Sequence, residues 1–125
     1  QAMNGRAAAA ARAAAIVLDL QPDHPAARLA AARAARALGD GEAALGHLQV
    51  LLRAHPRHAG ACAELADLLD ARGHAEGALR AWRLLHSIQP TAAVALREAG
   101  RLLARRGRLA ESVGYLERAC RSAPR

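Results

Sequence analysis

The sequence contains no phenylalanine and no lysine, and among its 125 residues there is only one tryptophan, one tyrosine and one methionine. A core without large aromatics must be built from smaller side chains, and here alanine and leucine dominate. Both are strong helix formers, so closely packed helices are expected. Valine and isoleucine are scarce, which leaves β-structure little support.

The positive charge is carried by arginine alone, with a formal net charge of +7. The lack of lysine, beside heavy use of alanine, arginine and glycine, is typical of GC-rich bacterial coding, so the arginine count by itself indicates no function. The excess of arginines over acidic residues is unevenly spread along the sequence. Residues 56–89 contain four arginines and four acidic residues, whereas residues 90–123 contain seven arginines and three acidic residues.

Cysteine is also sparse, and its two copies exclude a disulfide scaffold. We expect Cys62 and Cys120 to be reduced and to pack as small side chains. No apolar run approaches the roughly 20 residues that span a membrane, and residues 7–18 make a poor signal peptide. We therefore expect a cytoplasmic protein, or a periplasmic one if the sequence is cut from a longer exported protein. Residues 1–3 read as a cloning remnant.

Prolines recur at a fixed interval, since Pro22, Pro56, Pro90 and Pro124 are each 34 residues apart. Other positions repeat with the same period. They are the glycines at 5, 39, 73 and 107, two series of small residues (Ala32, Ala66, Gly100 and Ala10, Ala44, Ala78, Ser112), and a bulkier series (Leu48, Trp82, Leu116). Several series in phase indicate an array of repeated units.

Each unit reads as two helices joined by a glycine turn. In the middle unit, residues 60–72 and 75–88 have apolar residues at helical spacing. Gly73 supplies the left-handed residue that commonly closes a helix, and Pro90 stops the second helix. The first unit predicts helices at 26–38 and 42–54, and the third predicts helices at 93–106 and 109–122.

A helix–turn–helix unit of this length and pattern resembles the tetratricopeptide repeat. The small residue in each first helix, the small and bulky residues in each second helix, and the closing proline stand where that family places them. The resemblance covers three full units, 22–55, 56–89 and 90–125, and a second helix alone in 1–21, together one repeat domain. It implies an all-α fold, a right-handed superhelix of antiparallel helix pairs.

The sequence departs from the family at its first-helix aromatic positions. One set of these positions is filled by Arg28, Cys62 and Leu96, and the other by Ala35, Leu69 and Leu103. The smaller residues predict tighter, smaller contacts. Trp82 is predicted to lie in the core.

In this family the first helices line the concave side of the stack, so the resemblance assigns side chains to that groove. Arg97, Arg101 and Arg105 lie at four-residue spacing on one side of the third unit's first helix. The full set comprises Arg33 and Arg36, Asp67 and Asp70, and Arg97, Arg101 and Arg105. The expected groove is basic at both ends and acidic at its centre.

Guanidinium groups bind carboxylates through paired hydrogen bonds. We therefore expect a protein–protein interaction scaffold whose groove binds an acidic peptide at the third unit. The alternative for these arginines is a solvated helix face. Nucleic acid is not the expected partner, because Asp67 and Asp70 interrupt the basic track and the two aromatics fall on second helices.

A second function stays open, because the sequence begins with half a unit and ends near its last proline. Either it is part of a longer array, or its ends pair with a second copy. The chain would then be a self-associating or structural module of a larger bacterial protein. Polar changes near Ala14, Val17, Val113 or Leu116 would disrupt such a dimer.

Catalytic and metal-binding patterns are missing. His24 and His58 are one period apart, which indicates a role in the turns, and no cysteine or carboxylate completes a metal-ligand set. No phosphate-binding loop or serine-nucleophile motif occurs. We expect no catalytic residue, no metal and no cofactor, and hence no enzyme activity.

Overall fold

The computed structural model describes the backbone of residues 2–122 and the side chains from Gly5 onward; Gln1 and residues 123–125, including Pro124, lie outside the described residues. Within this range all regular structure is helical. The helices are α1 (Ala2–Leu20), α2 (Pro25–Ala37), α3 (Gly41–Ala54), α4 (Ala59–Ala71), α5 (Ala75–Ile88), α6 (Val94–Arg105) and α7 (Leu109–Ser122). None of them is both long and apolar enough to cross a membrane.

The predicted helices of the three full units are confirmed to within two residues at each end, and so is the all-α fold of paired helices. The chain forms two compact units, the first ending at Glu64 and the second beginning at Leu65. In unit 1, α2 packs against both α1 and α3. In unit 2, α6 packs against both α5 and α7.

Three turns reverse the chain by the same device. Gly39, Gly73 and Gly107 have positive φ angles of 84°, 81° and 77°, the left-handed region that suits glycine. In each turn the residue after the glycine donates its N–H to the carbonyl five residues earlier, as His74 does to Leu69. This is the Schellman closure, which satisfies carbonyls that a helix end leaves free.

Histidines cap the first helices of two units. The Nδ1 atom of His24 accepts the Ala27 N–H at 3.1 Å, and Nδ1 of His58 accepts the Ala61 N–H at 3.1 Å. The expected turn role of these histidines is thus helix capping, which satisfies free N–H groups at the start of α2 and α4. Asp40 caps α3 in the same way, through the Ala43 N–H at 3.0 Å.

The core is made largely of alanine, and this permits close approach of the helices. More than half of the buried apolar residues in the described range are alanine. Trp82, only 5% exposed, is buried as predicted. Gly100 shows the closest approach, because a Cβ built there would lie 2.7 Å from Cγ and Cδ2 of Leu116. Nearby, the buried Ser112 hydroxyl donates to the Gly100 carbonyl at 2.8 Å, which joins α6 to α7.

The expectation of tighter contacts is wrong at Ala35. This residue lines a cleft of about 570 Å³ in unit 1, between α1, α2 and α3. Its walls are Ala11, Ala15, Leu18, Asp19, Ala31, Ala35, Leu38, Asp40 and His47. The methyl group of Ala35 leaves unfilled the space that an aromatic ring would take at this position.

Filling this cleft should stabilise unit 1. We expect Ala35→Leu to raise the free energy of unfolding by about 1 kcal/mol, since it adds buried apolar surface at a half-buried position in a helix. Urea denaturation followed by far-UV circular dichroism would measure the change. Ala13→Leu, at an exposed position on α1 outside the cleft, is the control and should have little effect. Equal gains in both variants would show that the cleft is not responsible.

Arg28 stands at the other first-helix position of this unit where the family has an aromatic residue. It makes polar contacts there in place of apolar ones. Its Nη1 lies 3.2 Å from Nδ1 of His47 on α3, and its Nη2 donates to the Pro22 carbonyl at 3.1 Å. Its Nε atom is shielded from solvent and has no hydrogen-bond partner in the described part of the chain. Burial, and then the Arg28 charge, lower the pKa of His47, while Asp40 opposes this shift.

This contact predicts a dependence of stability on pH. Because the His47 pKa is lower in the folded state than in the unfolded chain, the unfolded state takes up the proton first. The contribution of the neutral His47 to the free energy of unfolding is therefore fully present above pH about 6.5, and it is lost as the pH falls through the lower folded-state pKa. Urea denaturation at several pH values should show a smaller loss in His47→Gln than in the original protein. Identical pH profiles would contradict this role for His47.

Candidate functional site

Helix α6 presents three arginines on its exposed side. Its buried residues are Ala95, Leu96, Ala99, Gly100, Leu102 and Leu103, which face α5 and α7. Arg97, Arg101 and Arg105 are all exposed, as their four-residue spacing predicts for the opposite side of the helix. The sequence therefore places three guanidinium groups in a row along about two turns of one rigid element.

The three arginines differ in their partners. No described residue forms an ion pair or hydrogen bond with the Arg97 side chain. Arg101 Nη1 donates to Glu98 Oε2 at 3.2 Å, a pair within one helix. Arg105 donates to the half-buried Asp70 of α4. Two of the predicted site residues, Asp70 and Arg105, are thus brought into direct contact.

Arg33 and Arg36 on α2 share one carboxylate in unit 1. Arg33 Nε lies 2.9 Å from Glu64 Oε2, and Arg36 Nη1 lies 3.2 Å from Glu64 Oε1. Glu64 was not among the predicted site residues, although it neutralises much of the charge at this position. Asp67, one helical turn further along α4, is exposed.

These ion pairs leave the arginines available to a ligand. The Arg33, Arg101 and Arg105 side chains remain 57%, 60% and 57% exposed in their pairs. Exposed ion pairs contribute only about 0–1 kcal/mol, because water screens the charges and the long side chains lose freedom. An incoming carboxylate can therefore replace the internal acid at little cost. The pairs orient the guanidinium groups without occupying all their donors.

A second charged cluster, around Arg108, was missed by the sequence analysis. Arg108 donates to Glu111 from Nε and Nη2, both at 2.9 Å, and from Nη1 to Glu76. The hydrogen bonds that Arg108 donates to Glu111, and then the one that it donates to Glu76, raise the pKa of Arg108, and its hydrogen bonds to Glu111 lower the pKa of Glu111. Nη2 of the exposed Arg106 lies 3.4 Å from Asp70 Oδ1. These pairs connect the turn before α7 to α4 and α5.

One signal in the sequence could have revealed these partners. The contacts of Arg33 with Glu64, Arg105 with Asp70 and Arg108 with Glu76 join residues 31, 35 and 32 positions apart. Each separation is close to the 34-residue period. In a repeat array, residues about one period apart lie on neighbouring units, so opposite charges at that spacing are candidate pairs.

The two cysteines form none of the ion pairs in these clusters. Both cysteines are free. Cys62 is buried, which raises the pKa of its thiol. Cys120 is exposed, so its expected role as a packing residue is wrong. Across residues 2–122, no three His, Cys, Asp or Glu side chains lie close enough together to hold a metal ion.

Comparison with known proteins adds a family and several similar folds. The model of a tetratricopeptide repeat family matches residues 3–59 and 63–125. No curated protein matches the sequence. A crystal structure of MamA aligns with a TM-score of 0.84 and 21% identity, covering 90% of this chain and 66% of the chain in that structure.

Two further structures show the same likeness. The MamA fragment 41-end from Desulfovibrio magneticus RS-1 gives a TM-score of 0.84 at 19% identity, over 94% of this chain and 67% of that one. TTC0263, a thermophilic repeat protein from Thermus thermophilus, gives 0.83 at 19% identity, over 97% and 68%. At these identities the likeness concerns the fold, and this chain spans about two thirds of the length of each structure.

Proposed function

Because the chain belongs to the tetratricopeptide repeat family, whose members generally serve as protein–protein interaction modules, we propose that it binds an acidic peptide segment of a partner protein. The peptide lies along the exposed sides of the first helices. Its binding residues are Arg33, Arg36, Asp67, Asp70, Arg97, Arg101 and Arg105. The role is binding without catalysis, and the partner is a protein rather than a nucleic acid.

The observation that supports this proposal best is the state of Arg97. It is exposed on α6, and within the described range no acid pairs with it. Arg101 follows one turn later, and its partner is the half-buried Glu98 of the same helix. Two carboxylates spaced along a peptide could each take one guanidinium through paired hydrogen bonds. Arg105 would join only by exchanging Asp70 for a peptide carboxylate.

The test is recovery of partners by a charge-reversed protein. We expect Arg97→Glu with Arg101→Glu to lower recovery from a nuclease-treated bacterial lysate about tenfold or more, because each change removes charge-assisted hydrogen bonds and adds repulsion. The recovered proteins would be quantified by mass spectrometry. Arg105 is left unchanged so that its pair with Asp70 is kept.

A matched control separates this effect from net charge. Arg53→Glu with Arg57→Glu changes the charge equally at exposed positions that are not part of α6, and it should recover the same partners as the original protein. Circular dichroism would verify that both variants keep their helices. Equal recovery by all three proteins would overturn the binding role of Arg97 and Arg101.

Exposed apolar side chains on α1 and α7 favour a second candidate function, self-association. Ile16 and Leu20 on α1 are 63% and 79% exposed, and Leu109 and Val113 on α7 are 64% and 53% exposed. Large exposed apolar residues grouped in this way often mark interaction surfaces. Light scattering of the purified protein would reveal a dimer, which Ile16→Glu or Val113→Glu should convert to monomer.

These positions test self-association better than Ala14, which is 4% exposed. A polar change at Ala14 would disturb the packing of α1 whether or not the protein dimerises.

We further propose that the repeat boundaries are 1–21, 22–55, 56–89 and 90–125, since each of the last three segments contains two helices. The proposed compartment is the cytoplasm.

A further inference from the structure

Unit 2 contains a cleft of about 220 Å³ between α5, α6 and α7. Its lining consists of Trp82, Arg83, His86, Ala95, Leu96, Ala99, Tyr115 and Arg118. Sites for drug-sized ligands begin at about 300 Å³, so this cleft suits a small group. None of the arginines assigned above to peptide binding lines it, and its role is independent of that proposal.

Two arginines are gathered around one tyrosine at this cleft. Arg83 Nε donates to the Tyr115 hydroxyl oxygen at 2.6 Å. The guanidinium carbons of Arg83 and Arg118 lie 5.9 Å and 5.5 Å from the centre of the Tyr115 ring. Such cation–π contacts hold both charges close to the ring, and they leave the terminal nitrogens of both guanidinium groups free to donate.

The positive charge at the cleft is not balanced by its own lining. No described lining residue is acidic. Glu111 is close enough to interact with Arg83, but both of its oxygens accept hydrogen bonds from Arg108. In addition, Nδ1 of His86 is shielded from solvent and has no hydrogen-bond partner in the described part of the chain. Because the open cleft leaves this atom shielded, the nitrogen of His86 that can donate to a ligand in the cleft is Nε2.

We propose that this cleft binds a phosphomonoester dianion. The donors are the terminal nitrogens of Arg83 and Arg118, the Tyr115 hydroxyl and the His86 imidazole. A phosphomonoester has three terminal oxygens and nearly two negative charges, which matches two guanidinium groups and further neutral donors. A carboxylate has two oxygens and one charge, and would leave part of this set unused. The same group can come from free phosphate or from a phosphorylated side chain.

The single tryptophan of the chain makes the proposal directly measurable, because Trp82 lines the cleft. Inorganic phosphate, phenyl phosphate and benzoate would be titrated at constant ionic strength while the Trp82 fluorescence is followed, with calorimetry as a second readout. Saturable binding of at least one phosphate probe is expected, with benzoate weaker. Tighter binding of phenyl phosphate than of inorganic phosphate would identify a phosphorylated side chain as the source, and the reverse order would identify free phosphate.

Two variants and two matched controls complete the test. Arg83→Gln and Arg118→Gln should each weaken phosphate binding about tenfold or more, as expected for lost charge-assisted hydrogen bonds. Arg80→Gln and Arg121→Gln make the same charge change at exposed positions on the same helices, outside the cleft, and should bind as before. Arg118 is an exposed residue, so its variant keeps the test valid if Arg83→Gln disturbs folding.

Three outcomes would overturn the proposal. One is the lack of saturable binding of both phosphate probes by fluorescence and by calorimetry. Another is an equal loss of affinity in all four variants, which would indicate a general attraction of anions to a basic protein. The third is benzoate binding as tightly as the tighter of the two phosphate probes, which would show that the site does not select a dianion.

Discussion

Replacing Gly100 by alanine is expected to lower the free energy of unfolding by about 1–3 kcal/mol, the usual cost of adding atoms to a well-packed core. The new methyl group would lie 2.7 Å from Cγ and Cδ2 of Leu116 and 3.4 Å from the Ser112 carbonyl oxygen. Cγ is bonded directly to Cβ of Leu116, so rotation of the terminal methyl groups cannot relieve the contact. The helices α6 and α7 would have to move apart.

Gly114 provides a control, because alanine at this position should change the free energy of unfolding in the opposite direction. It lies inside α7, and a Cβ there would meet nothing within 4 Å. Gly114→Ala should therefore raise the stability by about 0.5–1 kcal/mol through helix propensity alone. Urea denaturation monitored by circular dichroism would measure both variants. A stabilising effect of Gly100→Ala would mean that α6 and α7 are not in the close contact described above.

The largest loss of stability is expected for Leu103→Ala, at about 2–5 kcal/mol. Leu103 is 1% exposed on α6, and its truncation would leave a cavity in a core that already contains few large side chains. Domains of this size are commonly stable by about 5–15 kcal/mol. The change would therefore remove a large share of the stability of unit 2.

Leu109→Ala is the matched control, because the same atoms are removed from a side chain that is 64% exposed on α7. Its effect should stay within about 0.5 kcal/mol. Unfolding in urea can be followed by the fluorescence of Trp82, which reports on unit 2 directly. Similar losses in the two variants would contradict the burial of Leu103.

The helices could be predicted from the sequence because their signals are local and repeated. A glycine that must adopt a positive φ, a proline that cannot continue a helix, and apolar residues at helical spacing act within a few residues of each helix end. The same signals recur with each unit, so an error at one helix is corrected by its counterparts. Trp82 could be placed in the core for the same reason.

The partners of the arginines could not be predicted with equal success, because side-chain pairing depends on contacts between helices. The position of Arg105 on the exposed side of α6 follows from spacing alone. Its contact with Asp70, and that of Arg33 with Glu64, depends on how one helix is turned against another. The open cleft at Ala35 was missed because backbones need not close around a smaller side chain. The candidate binding residues therefore remain predictions that only binding experiments test.

The alanine-rich core also has a consequence for the temperature dependence of this protein. A buried alanine removes little apolar surface from water, and the heat capacity of unfolding rises with the apolar surface that unfolding exposes. The heat capacity change per residue should thus fall below the usual value of about 12–15 cal/mol/K. A small heat capacity change flattens the stability curve. The protein would then hold a nearly constant, modest stability over a wide range of temperatures, with cold denaturation displaced far below freezing.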